Sequence, residues 1–283
     1  MHIDSHQHFW SYSAPAYPWI GAGMGRLARD YLPTDLAALA AAAGIGGTVA
    51  VQARQTLEET RWLLELADRH PLIRGVVGWV DLRSPAVADQ LAAFVAREKF
   101  VGVRHVVQDE PDPQFLLGEE FIRGLKQLRP FGLTYDLLLT PQQLPAAVEL
   151  VASLPEQPFV LDHLAKPRVA TWTQAVDRDS WRRDMEALAN HKNVCCKLSG
   201  LVTEAAWRQW RRADFTPYLD VALAAFGPER LMFGSDWPVC LLSGDYAEVA
   251  GVVQDSVAQL SAAEQEAIWG GAATRFYGLD TKE

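Results

Sequence analysis

A single (β/α)8 TIM barrel is the fold class this sequence predicts, and three observations predict it. Eight short apolar, β-branched runs recur along the 283 residues. Stretches of helical spacing lie between them. From the second run on, the runs start roughly thirty residues apart, the length a strand needs to return parallel to its neighbour across a helix. Barrels of this class often reach about 250 residues without dividing, so residues 1–283 are expected to form one domain.

The first run is HIDSH at the amino end. IGGTVAVQA from Ile45, IRGVVGWV from Ile73, VGVRHVV from Val101 and LTYDLLL from Leu133 follow, then PFVLDHL from Pro158, VCCKLSG from Val194 and RLMFGSD from Arg230. The stretch LEETRWLLELADRH shows what separates them, with Leu57 and Leu64 on an apolar stripe and Arg61, Glu65 and Asp68 on a charged face. An open, doubly wound sheet would need a glycine-rich phosphate loop after its first strand, and HIDSHQHFW has no glycine there. The segment 10–33, rich in Gly, Pro and aromatics, is too long for an ordinary βα turn, which predicts a loop over the mouth of the barrel. After the eighth run, Asp245 to Gln259 and Ala262 to Tyr277 read as two closing helices.

A formal net charge of −9 without any Lys/Arg run argues against nucleic acid and anionic membrane as partners. The expected partner is a small molecule. No apolar run reaches the length of a membrane span, and the amino end carries Asp4 and three histidines where a signal peptide would be apolar; a cytoplasmic location is expected. Of the three cysteines, Cys195 and Cys196 are neighbours that would point to opposite faces of a strand, so reduced packing residues are expected. The oligomeric state is left open.

In a barrel, the carboxyl ends of the strands face the active site. Here they are polar in order: His6 and His8, then Gln52 and Arg54, Trp79 and Asp81, Arg104 and His105, Tyr135 and Asp136, Asp162 and His163, Lys197 and Ser199, and finally Ser235, Asp236 and Trp237. His-x-His at strand spacing puts both rings on one face, about 7 Å apart along the chain. That suits two ligands of one ion or two donors to one oxyanion. Arg104 and His105 are adjacent, so only one of them can look into the mouth. Gly-x-Ser-x-Gly, Walker, His-Glu-x-x-His and Cys-x-x-Cys motifs are all missing.

HIDSHQHFW, LDHLAKP at 161–167, KLSGLVTEA at 197–205 and FGSDWPV at 233–239, with GVRHVVQDEPD at 102–112, resemble in this order the amidohydrolase superfamily, most of all its branch of sugar-acid lactonases. The resemblance spans essentially the whole chain. It implies a barrel, a hydrolytic reaction, and a metal cluster whose ligands match His6, His8, His163 and Asp236. The pattern departs at strand four, where Arg104-His105 replaces a bridging Lys or Glu, and at strand five, where Tyr135-Asp136 offers no histidine. The resemblance therefore implies a mononuclear site at most, with one dispensable divalent ion such as zinc, or direct polarisation of the carbonyl without a metal. A lactone makes the second route chemically accessible, since its alkoxide is a good leaving group compared with an amide's.

The expected reaction is hydrolysis of a sugar-acid lactone, with L-fucono-1,5-lactone favoured by the resemblance. Asp236 would be the general base and His6, His8 and His163 the carbonyl polarisers. Arg54, Arg104, His105 and Lys166 would bind hydroxyls or a carboxylate, and Trp237 would stack on the sugar. A metal-dependent decarboxylase of the same superfamily, a hydrolase of aromatic-dicarboxylate lactones and a non-catalytic sugar-acid binder are the alternatives. The residues alone leave stereochemistry and ring size open.

Overall fold

The computed structural model describes residues 1–172 and 174–279. Eight parallel strands lie in chain order in one sheet: β1 (His2–Gln7), β2 (Ile45–Val51), β3 (Ile73–Gly78), β4 (Phe100–His105), β5 (Thr134–Leu137), β6 (Phe159–Leu161), β7 (Val194–Leu198) and β8 (Leu231–Phe233). Helices α1 (Pro33–Ala42), α2 (Leu57–Arg69), α3 (Val87–Ala92), α4 (Glu119–Leu125), α5 (Leu144–Ser153) and α6 (Ala175–Ala189) each follow one of the first six strands. The short α7 (Leu201–Glu204) and then α8 (Thr216–Phe226) follow β7; α9 (Tyr246–Val257), α10 (Ala262–Glu266) and α11 (Ala272–Tyr277) follow β8. This is the (β/α)8 barrel that the strand spacing predicts.

The barrel closes where the first strand meets the last. Gln7 pairs with Trp237 in a parallel bridge; the His8 N–H donates to the Trp237 carbonyl at 2.7 Å and the Asp236 N–H to the His6 carbonyl at 2.8 Å. The lower interior is filled by Ile3, Val49, Val77, Val101, Val160 and Met232 from the strands, against Ala272, Ala273 and Tyr277 of α11. Strands buried on both faces account for the β-branched runs, and α11 seals the bottom.

Asp245 caps α9 in a reciprocal capping box with Glu248, as a helix from that residue requires. The second closing helix is not continuous. A π-helical turn, Ala267–Gly271, divides α10 from α11, and a Cβ on Gly270 would lie 2.1 Å from the Met1 carbonyl oxygen. The helix bulges where it passes the start of β1, and glycine makes that approach feasible.

Ala16, Pro18, Trp19 and Met24 of segment 10–33 line a cavity together with His8 and Asp236. Trp10 and Tyr31 exchange backbone hydrogen bonds at the base of the segment, the Trp10 indole donates to the Arg29 carbonyl at 2.9 Å, and the Tyr17 hydroxyl reaches Glu59 on α2 at 3.4 Å. All three cysteines are free thiols. Among the described residues no helix is long and apolar enough to cross a membrane.

Candidate active site

A cavity of about 680 Å³ opens at the carboxyl ends of the strands. His8, Arg104, His163 and Asp236 form its floor; Gln52, Arg54, Gln55, Gln108, Asp109 and Lys166 give it a polar wall; Ala16, Pro18, Trp19 and Met24 of the mouth loop give it an apolar one.

Strand alternation decides which neighbours look inward. On β4, Arg104 faces the interior and touches His6 and Asp162. His105 faces outward, bonded to Glu110 at 2.7 Å and stacked on Phe115 with ring centroids 5.0 Å apart. It does not line the cavity, which corrects the expectation that it binds substrate. Trp237 is also displaced from its expected place: it is buried against Phe9 and Tyr31 and borders a separate cavity behind the loop. The indole on the substrate cavity belongs to Trp19. Arg54 and Lys166 do line it, paired with Glu58 at 3.6 Å and Glu204 at 3.5 Å.

His163 reaches the floor through an unusual backbone. His163, Leu164, Ala165 and Lys166 have φ of 54°, 51°, 57° and 53°, a left-handed turn that costs L-residues roughly 1–2 kcal/mol each. The turn is held by the Lys166 N–H on the His163 carbonyl at 2.7 Å, by the Trp181 indole on the Leu164 carbonyl at 2.8 Å, and by burial of Leu164 and Ala165. Opposite it stands Gly200, whose φ is +66° and whose Cβ, if present, would lie 2.5 Å from His163 Nδ1. The SG pair of KLSG thus serves His163 twice: Gly200 makes room and Ser199 Oγ meets Nδ1 at 2.8 Å. Asp236, with φ 55°, is a second left-handed residue at the site.

The polar residues fall into two layers. In the upper layer, Asp236 Oδ1 lies 3.4 Å from His8 Nε2 and 3.8 Å from His163 Nε2. His8 Nδ1 is fixed on the Val51 carbonyl at 2.8 Å, so both imidazoles turn Nε2 toward the carboxylate. Burial alone would raise the Asp236 carboxyl, but His163, His8 and Lys166 outweigh it and hold it below the ordinary range. Burial keeps His163 well below the usual imidazole value.

The lower layer is an ionic network. Lys197, fully buried, places Nζ 2.5 Å from Asp136 Oδ2 and 2.9 Å from Asp162 Oδ1; the Tyr277 hydroxyl donates to Asp136 at 2.9 Å, and Arg104 Nη1 donates to Asp162 Oδ2 at 3.1 Å. Burial lifts Asp136 to about 6 against the pull of Lys197, whereas at Asp162 the cations and His6 overcome burial and hold the carboxyl well down.

His6 belongs to this lower layer. It is fully buried and is not among the residues that line the cavity. Arg104 Nη1 stands 3.2 Å from its Nε2 and Lys197 Nζ 3.1 Å from its Nδ1. Both neighbours are donors only, and a neutral imidazole has one acceptor. Only Nδ1 has a carboxylate oxygen within reach, Asp162 Oδ1 at 3.3 Å, since Asp236 Oδ1 is 3.9 Å from Nε2. Each ring nitrogen of His6 thus faces a cationic donor, Arg104 at Nε2 and Lys197 at Nδ1.

His6, His163 and Asp236 bring one ligand atom each within 4.8 Å of one another, close enough to share a divalent ion, and His8 Nε2 stands beside them, 3.4 Å from Asp236 Oδ1. Glu59 was not foreseen in the sequence. Its buried carboxylate accepts the Ala53 and Arg54 N–H groups at 3.0 and 2.7 Å, which sets the peptide that carries Arg54; burial lifts it to about 7. Its only sequence signal is an acid in the first turn after the Thr56 cap.

The fold is a (β/α)8 barrel whose mouth carries imidazoles and a carboxylate on one floor. The family described as amidohydrolase matches residues 3–279, and the chain belongs to it. It is 49% identical to an L-fucono-1,5-lactonase of Burkholderia multivorans, over 99% of this chain and 96% of that protein. A second L-fucono-1,5-lactonase, from Burkholderia ambifaria, is 35% identical over 98% of this chain and 96% of that protein. A crystal structure of a Burkholderia multivorans amidohydrolase with bound zinc superimposes with a TM-score of 0.94 at 48% identity, covering 99% of this chain and 100% of that one.

Proposed function

We propose that this chain hydrolyses a sugar-acid lactone to the open-chain hydroxy acid in sugar catabolism, and that its substrate is an L-fucono-1,5-lactone or a closely related aldonolactone. The observation that carries the reading is Asp236 set between His8 and His163 on the floor of a cavity with one polar wall and one apolar wall. The similarity to two L-fucono-1,5-lactonases supports the substrate.

Asp236 accepts a proton from water as the water oxygen bonds to the lactone carbonyl carbon, and the carbonyl π electrons move onto oxygen. His8 and His163 orient the carboxylate and bracket the attacked carbon. When the tetrahedral species collapses, the bond from carbon to ring oxygen breaks and the proton on Asp236 passes to that oxygen. The acid product then loses its proton to solvent. Arg54, Lys166 and Gln52 hold ring hydroxyls; the Trp19 face packs on the sugar's apolar side.

His6, His163 and Asp236, with His8 beside the carboxylate, would hold a zinc ion where one is bound, and it would supply Lewis-acid polarisation of the carbonyl. A pH-indicator assay across fresh aldonolactones and dicarboxylate lactones, on chelator-treated and metal-supplemented protein, tests the reading. Hydrolysis of the fucono-configured lactone above its galacto- and rhamno-relatives is expected. Absence of lactone opening in both preparations refutes it, and release of carbon dioxide from an aromatic acid would redirect it to decarboxylation.

A further inference from the structure

The two walls of the substrate cavity are tied to one buried carboxylate. Arg54 stands on the polar wall, and Ala16, Pro18 and Trp19 stand on the apolar one. Tyr17 lies among these last residues in the chain but does not line the cavity; it is 2% exposed and its side chain is directed at α2 instead. There its hydroxyl donates to Glu59 Oε1 at 3.4 Å. The other oxygen of the same carboxylate, Oε2, accepts the N–H groups of Ala53 and Arg54 at 3.0 and 2.7 Å. Glu59 is itself only 2% exposed, so these bonds act in a medium that screens them little.

Tyr17 governs its stretch of the mouth loop. Its N–H donates to the Ser13 carbonyl at 3.1 Å and its carbonyl accepts the Ile20 N–H at 3.0 Å, so the turn closes on it from both sides. Pro15 and Pro18 remove backbone freedom next to it. Arg54 needs such support. Its ion-pair partner Glu58 is 3.6 Å away and 79% exposed, and surface pairs of this kind contribute little. Two buried groups hold it instead: Glu59 through the peptide N–H, and the Tyr17 ring, whose centroid lies 5.5 Å from the guanidinium carbon.

We infer that Tyr17 and Glu59 are positioning residues for substrate binding: the hydrogen-bonded bridge between them fixes Arg54 relative to the apolar wall, so that the two walls bind the lactone as one unit. This rests on the lactonase reading, in which Arg54 holds a ring hydroxyl, and adds what holds Arg54. Both residues lie outside the cavity lining, so their effect belongs to binding and not to the chemical step.

The test is steady-state kinetics on the best lactone for the wild type, Tyr17→Phe, Arg54→Met and the double variant. Tyr17→Phe removes only a hydroxyl. It is expected to raise KM about tenfold, the scale of one hydrogen bond to a charged group, with kcat within about twofold of wild type. Arg54→Met is expected to raise KM by about tenfold or more. In the double variant the losses overlap, leaving KM within about threefold of the larger single effect, because each change releases the same bridge. A rise in KM below about threefold in Tyr17→Phe overturns the inference, as does a loss confined to kcat. A double variant whose KM rise is the product of the two single rises also overturns it, since the residues would then act independently.

Glu59 provides a second arm. Glu59→Gln keeps an amide oxygen for the two N–H groups and an amide N–H for the Tyr17 oxygen. It is expected to hold KM within about threefold of wild type, whereas Glu59→Ala shows the rise of about tenfold. Equal impairment of both overturns the bridge. If the alanine variant does not fold, the Tyr17 and Arg54 cycle decides alone. A wild type that opens no lactone defeats the parent reading instead, and the inference with it.

Discussion

The upper and lower layers of the site are built from the same residue types and do opposite things. Above, Asp236 meets two imidazoles at 3.4 and 3.8 Å, beside open cavity. Below, Asp136 and Asp162 are locked onto Lys197, and Asp162 onto Arg104, out of contact with solvent. The difference teaches that what a buried aspartate can do depends on its neighbours: on the proposed reading it serves as a base beside open cavity and imidazoles, and as a structural anion where buried cations hold it.

That contrast can be broken from the upper side first. Asp236→Asn should lower kcat by about 10³-fold or more, the scale of a lost general base, while the thermal melt stays at or above the wild-type midpoint because no ion pair of the network is cut. If Asp236→Asn kept near wild-type turnover, the two layers would have been assigned the wrong way round. Lys197→Met attacks the lower side. It leaves Asp136 without its cation, and breaking a buried pair costs about 3–5 kcal/mol, to be read as a shift of the urea midpoint.

Glu59 sharpens the comparison as a third kind of buried acid, one held by backbone N–H groups and lacking a cation of its own. Its folded-state value of about 7 lies above the ordinary glutamate range. The stability this contributes is therefore complete below about pH 4 and is lost as pH rises through 7. Glu59→Gln removes the titration, so its stability relative to wild type should climb between pH 5 and 8 by up to about 3 kcal/mol. Parallel melts at those two pH values decide it; a constant difference would show that Glu59 does not titrate there.

The barrel was legible because a parallel sheet buried on both faces must write itself as repeated β-branched runs at a fixed spacing, and all eight strands lie where those runs do. The floor of the site was legible for a related reason, since polar residues at strand ends have few places to go in a barrel other than the mouth. What the sequence concealed is orientation and depth. Alternation left Arg104 and His105 undecided until the frame of β4 was known. His6 and His8 share a face but not a level, because β1 is irregular between Asp4 and Gln7. The four left-handed residues after β6 carry no glycine to announce them, and the indole over the cavity proved to be Trp19 because Trp237 was drawn into the aromatic core under the loop. Each of these is set by tertiary contacts that have no local signature.

The seam between β1 and β8 bears on when the chain becomes an enzyme. His8 and Asp236 are brought together by hydrogen bonds between residues at opposite ends of the polypeptide, and the lower network is completed by Tyr277 from the last described helix. During synthesis His8 has no Asp236 carboxylate to meet until more than two hundred further residues have emerged. On the proposed mechanism, reactivity is withheld from every fragment that stops short of β8 and is switched on by closure of the ring.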